Sequence, residues 1–228
     1  MFNDVTAVLF DLDGTLVNTI DLILAAHDHT FACYLRGPWP ARPAVIRNFG
    51  RPLADAFGEF ALADGLPDPG AIVPQMVATY RAFQQEHHDR LVTAYDGMRD
   101  TLAGLRARGY VLGVVTSKAK KGARREIEQF GFSELLDVAV FLEDTSRHKP
   151  EPDPLLDAAR LGGFEPAGTL YVGDSIHDIA AGRAAGMKTA GALWGPFERG
   201  DLEAAGPDVL VETPSDLLAL LPANVRPS

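Results

Sequence analysis

The feature that most constrains this chain lies near its N-terminus, where an apolar run from Val5 to Phe10 stops at Asp11-Leu12-Asp13-Gly14-Thr15. A continuous apolar run closed by turn residues reads as a strand covered on both faces, and such strands lie at the centre of parallel sheets. Open α/β sheets bind ligands beyond the carboxyl ends of their strands, where Asp11 and Asp13 fall. Two carboxylates one residue apart repel each other unless a cation or a shared proton intervenes. The pair therefore points to a metal.

After Thr15 the period becomes helical. Ile20, Ile23, Leu24, Phe31 and Leu35 share one face up to Gly37-Pro38. A short helical run over 44–49, a second around Leu53 to Phe60 and a long amphipathic segment over 72–91 follow. Gly50-Arg51-Pro52 and the loop Gly65 to Gly70 separate them. From Tyr95 the pattern alternates between strand and helix, with strands expected at 110–115, 138–142, 170–172, 188–193 and 209–211 and a last helix at 217–221. Alternating β and α elements argue a doubly wound, mostly parallel, Rossmann-like α/β sheet. The expected division is a core of residues 1–16 and 92–228, with an all-helical cap domain inserted at 17–91.

A formal net charge of −10 argues against a nucleic-acid or membrane-surface partner, while leaving a small anionic substrate open. Cys33 is the single cysteine, so an intrachain disulfide is excluded; it reads as buried packing. The start, Met1-Phe2-Asn3-Asp4, lacks the basic and apolar regions of a signal peptide. A cytoplasmic location is expected.

Four strand ends carry polar residues: Asp11 and Asp13, Thr116 and Ser117, Lys149 beyond the third strand, and Asp174 with Asp178. An isolated strand-end aspartate is most often a cap or turn former. Four such ends converging on one edge of a parallel sheet are hard to explain as caps alone. Asp11-Leu12-Asp13-Gly14-Thr15, Thr116, Lys149 and Gly173-Asp174-Ser175-Ile176-His177-Asp178, in that order, resemble the four motifs of the haloacid dehalogenase-like hydrolases, and the likeness extends over the whole chain, inserted cap included.

The resemblance implies that Asp11 is a nucleophile forming an aspartyl-phosphate and that Asp13 is the general acid/base. It implies Mg²⁺ held by Asp11, the Asp13 backbone carbonyl and Asp174, with Asp178 supporting that shell or orienting Lys149. The chemistry is coherent: a carboxylate attacking an anionic phosphoryl group needs cations to cancel the repulsion, which Mg²⁺ and Lys149 supply. The Thr116 hydroxyl and the N–H groups of Leu12, Asp13 and Ser117 would donate to the remaining phosphoryl oxygens. Asp13 argues against a true dehalogenase. Lys118 is the first lysine of the chain, so a cap lysine forming a Schiff base is excluded.

Substrate choice is expected in the cap. Gly50 and Arg51 sit where the family's specificity loop faces the catalytic aspartate, with Arg51 a candidate anion binder or a solvated helix-start arginine. Gln84 to Asp89 resembles the pyrophosphatase-like members, which also look like phosphoglycolate phosphatases. His87 and His88 read as a solvated hinge, His27 and His29 as a poor metal pair on different sides of a helix, and His148 and His177 as peripheral. The expected activity is Mg²⁺-dependent hydrolysis of a small phosphorylated metabolite, 2-phosphoglycolate first. Inorganic pyrophosphate and a β-phosphoglucomutase-like transfer are alternatives, and a phospho-signalling or binding module is the rival class.

Overall fold

Alternation of side chains decides how the sheet sits. In the first strand, β1 (Ala7–Phe10), every residue is buried, but Val8 and Phe10 pack on one side of the sheet and Leu9 on the other. The structure, a computed structural model, describes residues 2–223; residue 1 and residues 224–228, the outer ends of the expected core, lie outside them. A two-residue strand β2 (Val17–Asn18) follows, then helices α1 (Ile20–Tyr34), α2 (Arg42–Ile46), α3 (Leu53–Ala63) and α4 (Pro69–Leu91). The chain returns through β3 (Thr93–Ala94), which pairs antiparallel with β2, so both crossings run through one small ribbon. Nothing in the periodicity of the sequence announces so short a pair.

The remainder alternates as expected: α5 (Met98–Ala107), β4 (Val111–Val115), α6 (Lys120–Gln129), β5 (Val138–Val140), α7 (Asp153–Gly162), β6 (Thr169–Gly173), α8 (Ile176–Ala184), β7 (Lys188–Ala192), α9 (Arg199–Ala205), β8 (Val209–Val211) and α10 (Asp216–Leu220). Among the described residues, six parallel strands form one sheet in the order β5-β4-β1-β6-β7-β8. β1 lies between β4 and β6, with Leu9 opposite Gly113 on one side and Tyr171 on the other. That order puts the ends of β4, β1 and β6 side by side. The fold is the doubly wound α/β class with helices inserted after the first strand.

Three boundaries differ from expectation for identifiable reasons. The third strand stops at Val140, because Leu142–Asp144 turns into a short 3₁₀ segment in which the Asp144 carboxylate accepts from the Phe141 N–H at 3.0 Å. α4 begins at Pro69, inside the expected loop, with the Asp68 side chain capping the Ala71 N–H at 3.2 Å and proline at the first helical position. α9 was not expected, since only Leu202 among its seven residues is buried and so short a segment shows no period.

The inserted helices have their own apolar centre. α4 packs against α1 and α3, burying Phe31, Phe57, Met76 and Tyr80. Cys33 is a correction: it lies on the exposed face of α1, not in packing. Among the described residues no helix is long and apolar enough to cross a membrane.

Candidate active site

The strand ends meet at Lys149. Its Nζ donates to Asp11 Oδ1 at 2.8 Å, to Asp178 Oδ1 at 2.7 Å and to the Tyr171 hydroxyl at 3.1 Å, with the lysine side chain 1 % exposed. β1 delivers Asp11, whose N–H still bonds the Val172 carbonyl of β6 at 2.9 Å. Asp178 comes from the first turn of α8, where Ser175 and Asp178 form a capping box. Burial works against the charge on Lys149, but Asp11 and Asp178 outweigh it and hold the ammonium above the usual lysine range. Burial pushes Asp11 up to about 7 against the pull of Lys149. Asp178 also pays a burial penalty, yet Lys149 and hydrogen bonds from Ser175 and Tyr171 keep it below the usual carboxylate range. Tyr171 was not singled out in the sequence; a phenolic hydroxyl between Leu170 and Val172 in a fully buried strand was the available signal.

Asp174 completes the cluster at the end of β6. Its Oδ1 accepts from the Thr15 hydroxyl at 2.6 Å, and burial, with Asp178 and Asp11 adding to it, raises its pKa well above the carboxylate range. Gly14 has φ +86°, and a Cβ there would lie 2.5 Å from Asp174 Oδ2, so the turn after Asp13 needs glycine twice over. Oxygens of Asp11, Asp174 and Asp178 lie within 4.8 Å of one another. Asp178 spends both of its oxygens, Oδ1 on Lys149 and Tyr171 and Oδ2 on the Ser175 N–H and hydroxyl. Asp11 and Asp174 each take one side-chain donor, on Oδ1. Three buried carboxylates beside one ammonium leave an excess of negative charge and hard oxygen donors, which suits a divalent cation, with Asp11 and Asp174 having the freer oxygens.

Asp13 belongs to a second cluster. Its Oδ1 accepts from Lys118 Nζ at 2.7 Å, and the same ammonium lies 2.5 Å from Glu126 Oε1 on α6. His88 Nε2 is 3.2 Å from that Glu126 oxygen, so His88 is buried and partnered; the expected solvated hinge is corrected for this residue. His87 does pack differently, against the Phe83 ring. Neither Lys118, noted only as the first lysine of the chain, nor Glu126 was picked out as a site residue in the sequence. Glu126 could have been, because it shares the buried face of α6 with Ala123 and Ile127, and a carboxylate at an apolar position needs a partner.

Thr116, at the end of β4, is buried and accepts from the Lys118 N–H at 3.1 Å. Leu12 is buried too, and its carbonyl accepts the N–H groups of Leu16 at 3.0 Å and Val17 at 2.9 Å, folding the loop after β1 back on itself. Ser117 reaches across to the inserted helices, its hydroxyl donating to the Gly50 carbonyl at 2.6 Å, while His177 Nε2 bonds the Arg47 carbonyl at 2.9 Å. Gly50, at φ +86°, passes so close to the core that a Cβ would be 2.9 Å from Ser175 Oγ. Arg51 lines the cavity, but its guanidinium donates to Asn48 at 2.6 Å and Glu59 at 2.7 Å. His27 and His29 are apart, His27 among Phe31, Phe57 and Tyr80 and His29 against Phe83. His148 contacts Thr145. Between the two parts of the chain lies a cavity of about 540 Å³ with Asp11, Asp13 and Thr116 on its floor and Arg51, Tyr80 and Arg81 on its far wall.

Residues 8–192 match the family of haloacid dehalogenase-like hydrolases. The pyrophosphatase PpaX of Halalkalibacterium halodurans is 38% identical over 225 residues, covering 98% of this chain and all of that one. The PpaX of Bacillus velezensis is 38% identical over 214 residues, 94% of this chain and 95% of its own. The crystal structure of a predicted phosphoglycolate phosphatase from Haemophilus somnus superposes with a TM-score of 0.80 at 26% identity, over 95% of this chain and 98% of that one. With the motif residues gathered as described and the match spanning most of its length, the chain belongs to the haloacid dehalogenase-like hydrolases.

Proposed function

We propose that this chain is a Mg²⁺-dependent phosphatase that works through an aspartyl-phosphate on Asp11. The observation that carries the reading is the convergence of Asp11, Lys149, Asp178 and Asp174 at three strand ends, beneath a cavity roofed by the inserted helices. Asp11 and Asp174, with the Asp13 backbone carbonyl, would hold the cation, whose chemistry is to neutralise charge between nucleophile and phosphoryl group. An Asp11 carboxylate oxygen attacks phosphorus as the bond to the leaving oxygen breaks, and Asp13 gives that oxygen its proton. Asp13 then takes a proton from water as the water oxygen attacks phosphorus, releasing phosphate and restoring the Asp11 carboxylate. Lys149 offsets charge on Asp11 and on the phosphoryl oxygens, while the Thr116 hydroxyl and the N–H groups of Leu12, Asp13 and Ser117 donate to the latter. Residues 17–91 act as a cap whose docked loop, through Gly50 and Arg47, shields the reaction from water.

Inorganic pyrophosphate is the first substrate, ahead of 2-phosphoglycolate. Both carry a second anionic group, which suits a cavity also lined by Arg81, Lys118, Lys121 and Arg125. The full-length likeness to PpaX reverses the order expected from the motifs, and the likeness to the Haemophilus somnus structure keeps 2-phosphoglycolate second. The test is phosphate release from each, and from β-glucose 1-phosphate, with Mg²⁺ and with EDTA. Turnover of pyrophosphate with Mg²⁺ and its loss in EDTA are expected; no turnover of any phosphate compound with Mg²⁺ overturns the reading.

A further inference from the structure

We propose that Glu126 is a positioning residue that joins the return hinge of the cap to Asp13 through Lys118, a role that rests on Asp13 being the acid/base. A run of charged and polar side chains connects the two places. Asp13 accepts from Lys118 at 2.7 Å, Lys118 donates to Glu126 at 2.5 Å, and His88 stands 3.2 Å from the same Glu126 oxygen. On its other side His88 Nδ1 is 3.1 Å from Asp89, which accepts from Arg125 at 2.6 Å. A carboxylate oxygen only accepts, so each contact of His88 is a hydrogen bond when that ring nitrogen carries a proton. His88 and Asp89 end α4, immediately before the chain recrosses through β3. Glu126 and Arg125 stand on α6 of the core, and Lys118 lies at the end of β4.

Glu126 is the joint in this run. Its side chain is fully buried; Oε1 faces both Lys118 and His88, while Oε2 has no partner among the described residues. One oxygen gripped from the hinge side and the catalytic side transmits the position of either to the other. It also solves a problem that Asp13 creates. Asp13 must turn toward a leaving oxygen and then toward water, and a lysine 14 % exposed would be left without a counter-charge each time. Glu126 keeps Lys118 paired while Asp13 moves, and holds the ammonium at one height above the cavity floor. A long lysine stem with one partner would follow that partner instead.

The test is a double-mutant cycle on the intact chain with pyrophosphate, 2-phosphoglycolate and Mg²⁺. Glu126→Gln keeps the shape and removes the charge; kcat is expected to fall about ten-fold, with KM changed less than about two-fold. Glu126→Asp, which keeps the charge, is expected to recover part of that loss, and His88→Gln to show a smaller loss of the same kind. In a Lys118→Met background, Glu126→Gln is expected to cost nothing further, because Glu126 acts through Lys118. An equal loss with and without Lys118, or an unchanged kcat in the Glu126→Gln chain, overturns the positioning role. Should the Gln variant not fold, the Asp variant answers through the same cycle. A native chain without turnover sinks the phosphatase reading and this role with it, whereas native turnover with an additive cycle sinks this role alone.

Discussion

Lys149 and Lys118 follow neighbouring strands, and each ammonium lies between two carboxylates, yet the two clusters are built for different work. Lys149 holds Asp11 and Asp178 in a site where all three side chains are nearly inaccessible, at 1 %, 5 % and 0 % exposure. Lys118 holds Asp13 and Glu126, with Asp13 still 22 % exposed toward the cavity and Glu126 tied to the hinge. The first cluster is enclosed by the sheet and α8 except where Asp11 meets the cavity floor, so it fixes geometry. The second is open on the side of the cavity, so one of its carboxylates can move. That division matches the tasks proposed for the two aspartates of the first motif, attack by Asp11 from a fixed place and service by Asp13 to two different oxygens in turn.

The largest expected effect separates those tasks. Asp11→Asn should lower phosphate release by at least about 10⁴-fold, because no other group stands where the nucleophile does. Asp13→Asn should cost about 10²–10⁴-fold, the range of a lost general acid/base. With Asp13 replaced, phosphorylated Asp11 should accumulate and be visible by mass spectrometry, and the Asp11→Asn chain should carry none. Phosphoprotein in the Asp11 variant would place the nucleophile elsewhere and end the comparison.

Stability should separate the two lysines next. Lys149→Met strips the counter-charge from two buried carboxylates and is expected to destabilise the chain by about 3–5 kcal/mol in urea without divalent cation. Lys118→Met leaves Glu126 with His88 and Asp13 with solvent, so about 1–3 kcal/mol is expected. Equal losses, or the reverse order, would show that the second cluster is as closed as the first.

The same contrast explains what was legible in the sequence. The closed cluster sits on strand ends, where an apolar run stopping at a polar residue marks each position: Asp11, Thr116 and Asp174 all stand out that way, and Lys149 follows from its order among them. The sheet was legible for the same reason, since buried parallel strands are continuous apolar runs. The open cluster draws Glu126 from mid-helix and His88 from a hinge, where no strand end marks them and only three-dimensional packing pairs them. His88 therefore read as solvated, although it is buried. The two-residue strands β2 and β3 carry too few residues to show a period, and α9 buries too little. Arg51 reads equally as an anion binder or a solvated helix-start arginine from its place before α3, and the Glu59 carboxylate eight residues on engages it.

The inserted helices supply the third and smallest contrast, a buried titratable group given no counter-charge among the described residues. His27 lies among Phe31, Phe57 and Tyr80, its Nδ1 donates to the Ile23 carbonyl at 2.8 Å, and its Nε2 is buried without a partner among the described residues. Burial therefore lowers its pKa from 6.5 to about 4, the opposite of what paired Lys118 and Lys149 undergo. The sign follows: above pH 6.5 the ring is neutral folded and unfolded and contributes no pH dependence. As pH falls toward 4 the unfolded chain takes up a proton that the folded chain refuses, so stability drops by an amount on the order of 3 kcal/mol from this group. His27→Phe keeps an aromatic ring in the cluster and removes the titration. The difference in unfolding free energy between the His27→Phe and native chains should therefore widen as pH is lowered from 6.5 to 4.5, while carboxylates common to both cancel. Urea titrations at those pH values check it, and two stability curves that stay parallel across the window would mean that His27 finds a partner for its charge, as the two lysines do.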